Sequence, residues 1–94
     1  MGKFETGQVV VTAGVAAEME HNPGFIKFIL ESFKRYEICD WGNTRPDDAK
    51  MNDKAVKNGD DRILAAYEDK KYGKIWIITE RDRSVTTILF PSEY

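Results

Sequence analysis

Three β-branched residues in a row, Val9, Val10 and Val11, open the patterned part of the chain, with Thr12 and Gly14 following. Such side chains favour extended backbone, and an unbroken apolar run predicts a strand buried on both faces, as in the middle of a sheet. The period then changes. Residues 15–20 read as a short helix, and Asn22-Pro23 reads as a fresh helix start. Asparagine accepts from the free N–H groups of a first turn, and proline at the first helical position gives up no hydrogen bond. Beyond it, apolar residues fall at Phe25, Ile26, Phe28, Ile29, Leu30, Phe33 and Tyr36, with Lys27, Glu31, Lys34 and Arg35 between them. That i, i+3, i+4 stripe predicts a long amphipathic helix that is the main core-facing element. Lys34 and Arg35 suit its C-terminal end, where positive charge is favourable.

Residues 39–61 lose the pattern. Gly42 and Pro46 interrupt regular structure. Asn52 is placed to cap a short helix over residues 53–58, which Asn58-Gly59 would end. The last third regains an extended pattern. Residues 62–68 form a weak strand candidate, because two alanines favour helix. Residues 74–79 and 84–90 are rich in β-branched side chains, and the charged residues 80–83 between them suit a hairpin loop. Residues 68–73 connect the first two of these strands, and Pro91 stops the last.

The resulting order, β-α-α-β-β-β, predicts an α+β fold: a four-stranded antiparallel sheet with one long amphipathic helix packed on one face, in a single domain over residues 1–94. The alternative has three strands, with residues 63–68 continuing a helix.

Composition changes this picture little. With 94 residues, 41% of them hydrophobic and 32% charged, the chain is long enough for one core and does not have the make-up of a disordered segment. The net charge of −2 and pI near 5.4 argue against a phosphate-backbone binder, which needs a clustered basic face. A local acidic patch would still attract a basic partner. One cysteine forbids an internal disulfide. With no secretory leader evident, the expectation is a protein of the reducing cytoplasm. No apolar run approaches the ~20 residues a bilayer span needs.

Candidate chemistry is sparse. His21 and Cys39 are single soft ligands, too few for a zinc site, and no cofactor is expected. The aspartates at 47, 48, 53, 60 and 61 lack the alternating spacing of a calcium loop. Cys39, His21 and Asp40 supply the residue types of a thiol mechanism. A continuous helix between them would hold His21 and Cys39 roughly 25 Å apart, at about 1.5 Å per residue. The carboxylate pairs Asp47/Asp48 and Asp60/Asp61 are adjacent in sequence, with no cleft evident to raise one pKa. No phosphate-cradling glycine loop is present. The chain therefore reads as a non-enzyme. Trp76, on a strand, reads as core, and the mixed charges of residues 80–83 as a solvated turn. Tyr67, Tyr72 and Tyr94 form a possible second surface near the sheet edges. Trp41, in a polar loop beside Asp40 and Gly42, has two readings: a ring folded back over the helix end, or an aromatic anchor for a protein partner. In the second reading Trp41 would be the anchor, and Asp47, Asp48, Asp53, Asp60 and Asp61 would meet Lys or Arg of the partner.

Residues 52–68 and 74–94, ending in RSVTTILFPSEY, together with the opening TGQVVVTAGV and the Asp40-Trp41-Gly42 triplet, resemble a family of small uncharacterised "plasmid-related" bacterial proteins. The resemblance covers most of the chain, and the closing segment is its most specific piece. It carries over no catalytic residue. It implies an origin on plasmids, phages or integrated elements. Small acidic proteins there are frequently inhibitors of host defence, such as anti-CRISPR and anti-restriction proteins. The expected function is stoichiometric inhibition of a defence nuclease that has a basic, nucleic-acid-binding surface, with no direct contact to nucleic acid or membrane. At −2 the chain departs from a global DNA mimic, so any mimicry would be local. The rival expectation is a plasmid-maintenance accessory or regulatory protein acting as a homodimer through an exposed strand edge.

Overall fold

A computed structural model describes residues 2–94. Two of its helices start where capping residues dictate. The Thr12 hydroxyl accepts from the Val15 N–H at the start of α1 (Ala13–His21). The Asn22 side chain accepts from the Phe25 N–H at the start of α2 (Pro23–Glu37), with Pro23 opening the first turn. The third helix, α3 (Pro46–Asn58), is longer than the sequence pattern implied. Asn52 does not cap it. Pro46 opens it, Asp47 and Asp48 sit in its first turn, where negative charge is favoured, and Gly59 closes it in the left-handed conformation (φ 67°).

Four strands follow the expected segments: β1 (Gln8–Val11), β2 (Ile63–Asp69), β3 (Gly73–Thr79) and β4 (Val85–Leu89). Their order is β1-β4-β3-β2. β2–β3 and β3–β4 are antiparallel hairpins, whereas β1 runs parallel to β4, with Val9 beside Thr86 and Val11 beside Ile88. The sheet is therefore mixed rather than antiparallel. Hairpin geometry governs only strands joined by short turns. The connection from β1 to β4 is long enough to permit parallel pairing. The helical part is also divided. Helices of 9, 15 and 13 residues share it, in place of one long helix. The helical alternative for residues 63–68 gives way because β2 pairs with β3 along its whole length, from Ile63 opposite Thr79 to Asp69 opposite Gly73.

One sheet face and one stripe of α2 make the core. Ile63, Ala65 and Tyr67 of β2, Ile75 and Ile77 of β3, and Ile88 of β4 pack with Phe25, Ile29 and Tyr36 of α2 and Val15 of α1. Ser32 completes the buried stripe, while Leu30, one step round the helix from Ile29, is 57% exposed. A chain of hydroxyls crosses this core. The Thr86 hydroxyl donates to the Thr6 carbonyl (2.6 Å), so it accepts from Thr79 (2.6 Å), and Thr79 in turn accepts from Tyr36 (2.7 Å).

The two sheet edges differ. The β2 edge is covered. Asn52 of α3 donates to the Leu64 carbonyl and accepts from the Leu64 N–H. The Thr44 hydroxyl accepts from Ala66 N–H, the Asn43 side chain from Glu68 N–H, and the Ala66 carbonyl from Asn43 N–H. The β1 edge is open, with Val9 44% and Val11 36% exposed. The valine run is thus an edge strand and not the central strand its composition implied.

Candidate interaction surface

The six residues singled out from the sequence do not form one patch. Trp41 is 6% exposed, packed edge-on to Tyr36 and beside Phe4. Its indole N–H donates to the Asp53 carboxylate at 2.8 Å. The fold-back reading is therefore what the structure shows, and the ring is not presented to a partner. Gly42 makes this possible: at φ 59° it turns the chain where an added Cβ would lie 2.4 Å from the Tyr67 ring. Asp53, itself exposed, is engaged in that bond. Asp47 lies exposed on the outer side of the first turn of α3. Asp60 is exposed in the segment after α3. Asp48 and Asp61 do come together, on the two sides of a groove of about 320 Å³.

That groove runs between α3 and the sheet face turned away from α2. Met51 and Asn52 of α3, Leu64 of β2, Trp76 of β3 and Arg62 line it with the two aspartates. Trp76 is half-buried, and its outer side meets Tyr94 edge-on at 5.5 Å between ring centres. The Arg62 guanidinium donates to the Tyr94 hydroxyl (2.6 Å) and lies over its ring at 5.9 Å. That bond, strengthened by the nearby carboxylates, holds the Arg62 proton more firmly than usual. Met51 and Tyr94 are 59% and 68% exposed. The groove thus has an apolar, aromatic floor, with the Asp48 carboxylate, the Asp61 carboxylate (which accepts from the Arg62 N–H at 2.7 Å) and one occupied guanidinium at its rim.

Sequence reasoning missed Met51, Leu64 and Arg62, read Trp76 as core, and named Tyr94 only as part of a second tyrosine surface. A signal was present in the alternation of β3. Ile75 and Ile77 point into the core, so Trp76 points the other way, and the single strong amphipathic stripe of the sequence belongs to α2 on the core side. The tyrosines are dispersed as well. Tyr67 is fully buried, with its hydroxyl donating to the Asp40 carbonyl, Tyr72 packs on Phe25 and Phe28, and Tyr94 lies on Trp76.

The continuous α2 separates His21 from Cys39 by about 22 Å, at 1.5 Å per residue. Burial pushes the Cys39 thiol above its ordinary pKa, which lowers its reactivity. Among the described residues, no three His, Cys, Asp or Glu side chains converge to hold a metal ion. None of the helices is long and apolar enough to cross a membrane. Arg83 serves the fold, donating to the Asp61, Glu80 and Arg81 carbonyls and to the Ala55 carbonyl near the end of α3.

No protein-family model matches the chain, and no curated protein and no solved structure matches it significantly.

Proposed function

We propose that this chain is an interaction protein that binds a protein partner through the groove between α3 and the outer sheet face. One observation carries the reading: the half-buried Trp76, with Met51, Leu64 and Tyr94 around it and Asp48 and Asp61 at the rim. An aromatic floor under exposed carboxylates suits a partner that inserts an apolar side chain and brings Lys or Arg to the rim. The resemblance to mobile-element proteins gives the partner its class, a bacterial defence nuclease with a basic, nucleic-acid-binding surface. Binding would be stoichiometric and cofactor-free, and it would inhibit the nuclease by occupying that surface or blocking assembly.

The experiment is a pull-down from a host with an active CRISPR system, followed by cleavage assays on the captured nuclease. The double reversal Asp48→Lys with Asp61→Lys is expected to weaken inhibition at least ~10-fold while the protein stays folded, with a small drop in melting from the lost first-turn charge of α3. Full inhibition by that variant would remove the groove from the interface. Recovery of no nuclease would remove the partner class.

The second reading, a plasmid-maintenance accessory or regulatory protein acting as a homodimer, is favoured by the open edge of β1.

A further inference from the structure

β1 and its flanks, Thr6 to Thr12, contain no charged residue and no proline. These are the devices that usually keep an edge strand from pairing. The other edge of the same sheet is closed by Asn43, Thr44 and Asn52. Only one edge is therefore available for a further strand.

The pairing with β4 fixes which groups that edge offers. Gln8 N–H donates to the Ser84 carbonyl and Thr12 N–H to the Ile88 carbonyl, so residues 8 and 10 direct their backbone groups, and residue 12 its N–H, at β4. Alternation turns the N–H and C=O of Val9 and Val11 outward. Among the described residues neither has a hydrogen-bond partner. Their side chains share the sheet face of Thr86 and Ile88, and are the most exposed of the strand's valines.

We propose that β1 pairs antiparallel with β1 of a second copy of this chain, about a two-fold axis through Val10, joining two four-stranded sheets into one of eight. Outward groups must meet outward groups, which requires the axis to pass through a residue. At Val10 it sets Val9 opposite Val11 of the other copy, and the reverse. Each such pair exchanges both of its N–H···O bonds, giving four across the dyad. The four valines then cluster on one face, and β-branched cross-strand pairs are favourable. The self-pairing brings no like charges opposite each other, because the segment carries none. A four-residue strand is small beside the roughly 1,200 Å² of a stable interface, so the dimer is weak and concentration-dependent. This inference rests on the homodimer reading and gives it a surface and a register. It leaves the Trp76 groove free.

Sedimentation equilibrium from micromolar to millimolar protein, with residue-resolved amide exchange, tests it. Protection at Val9 and Val11 is expected to rise with concentration, while Val10, already bonded to β4, stays protected throughout. Val9→Lys with Val11→Lys is expected to raise the dissociation constant at least ~10-fold, since edge charges oppose pairing. Val9→Pro removes an outward donor and spares the bonds to β4, so it gives the same result independently of the lysine variant. A strict monomer at millimolar concentration overturns both this inference and the homodimer reading. A dimer that survives both variants overturns only the β1 edge and moves the homodimer to another surface.

Discussion

Replacing Thr79 by valine removes one hydroxyl and almost no volume, so it isolates hydrogen bonding in the core. Thr79 sits midway along the buried chain from Tyr36 to Thr79, Thr86 and the Thr6 carbonyl, and it is fully buried, as are Tyr36 and Thr86. In Thr79→Val the Tyr36 hydroxyl loses its 2.7 Å acceptor and keeps only the 3.4 Å approach to the Ile63 carbonyl. Thr86 loses the donor that serves its oxygen. An unsatisfied buried polar group costs about 1–3 kcal/mol. With the Ile63 carbonyl as a poor substitute, the expected loss is about 2–3 kcal/mol. At 4–8 °C per kcal/mol for a domain of this size, melting should fall by roughly 10–20 °C. Tyr36→Phe is expected to cost about 1–2 kcal/mol, because it removes a donor and leaves Thr79 short of one. The double variant removes both partners of one bond, so it should cost less than the two singles together, by about 1 kcal/mol. Urea unfolding followed by circular dichroism measures all three, with the slope expected to stay constant and the midpoint to move. A Thr79→Val protein within ~0.5 kcal/mol of the parent, or strictly additive costs in the double variant, would refute the hydroxyl chain as a determinant of this core.

Two further outcomes are expected. Asp53→Ala leaves the buried Trp41 N–H without its acceptor and should lower stability by about 1–2 kcal/mol, with Asp53→Asn recovering most of the loss; equal stability of the alanine variant in urea would return Asp53 to the pool of free surface carboxylates. The hydrogen bonds from Arg35 hold the Asp40 carboxyl below its ordinary pKa, so the pair stabilises the fold above the unfolded value of 3.8 and loses that contribution as pH falls through the lower folded value. Both side chains are about half exposed, so the effect is well under ~1 kcal/mol. Arg35→Gln should therefore show a slightly smaller loss of stability than the parent between about pH 5 and pH 3, and identical acid limbs in the two proteins would exclude the pair as a contributor.

What could be read from the sequence was mostly local. Asn22-Pro23 marks the start of α2 because a cap and a proline act within one turn, and the structure begins the helix there. The hairpin β3–β4 was legible for the same reason. The valine run was misread because burial depends on neighbours distant in the chain: β1 lies at an edge, and β-branched residues fit an edge as readily as a centre. Asn52 has cap chemistry, but that same amide serves the backbone of β2 twelve residues away. Trp41 kept two readings, folded back or anchoring a partner, because its neighbours are polar. Its burial depends on the turn at Gly42, which lays the ring on Phe4 and Tyr36. The groove was hidden for a related reason. Its parts, Asp48, Asp61, Leu64 and Trp76, are joined only by how α3 crosses beside β2.

The parallel pairing of residues 8–11 with residues 85–88 also sets a timetable. A ribosome delivers the chain in order, so β1 emerges roughly seventy residues before the strand it pairs with. At roughly 5–20 residues per second it waits about 4–15 s. Over that interval α1, α2 and α3 can form, but the sheet has no place for the valines until β4 arrives beside β3. A nascent chain therefore carries an uncharged, β-branched segment without a partner until β4 is made. That makes β1 the natural client for a holding chaperone, and β4 the segment that releases it.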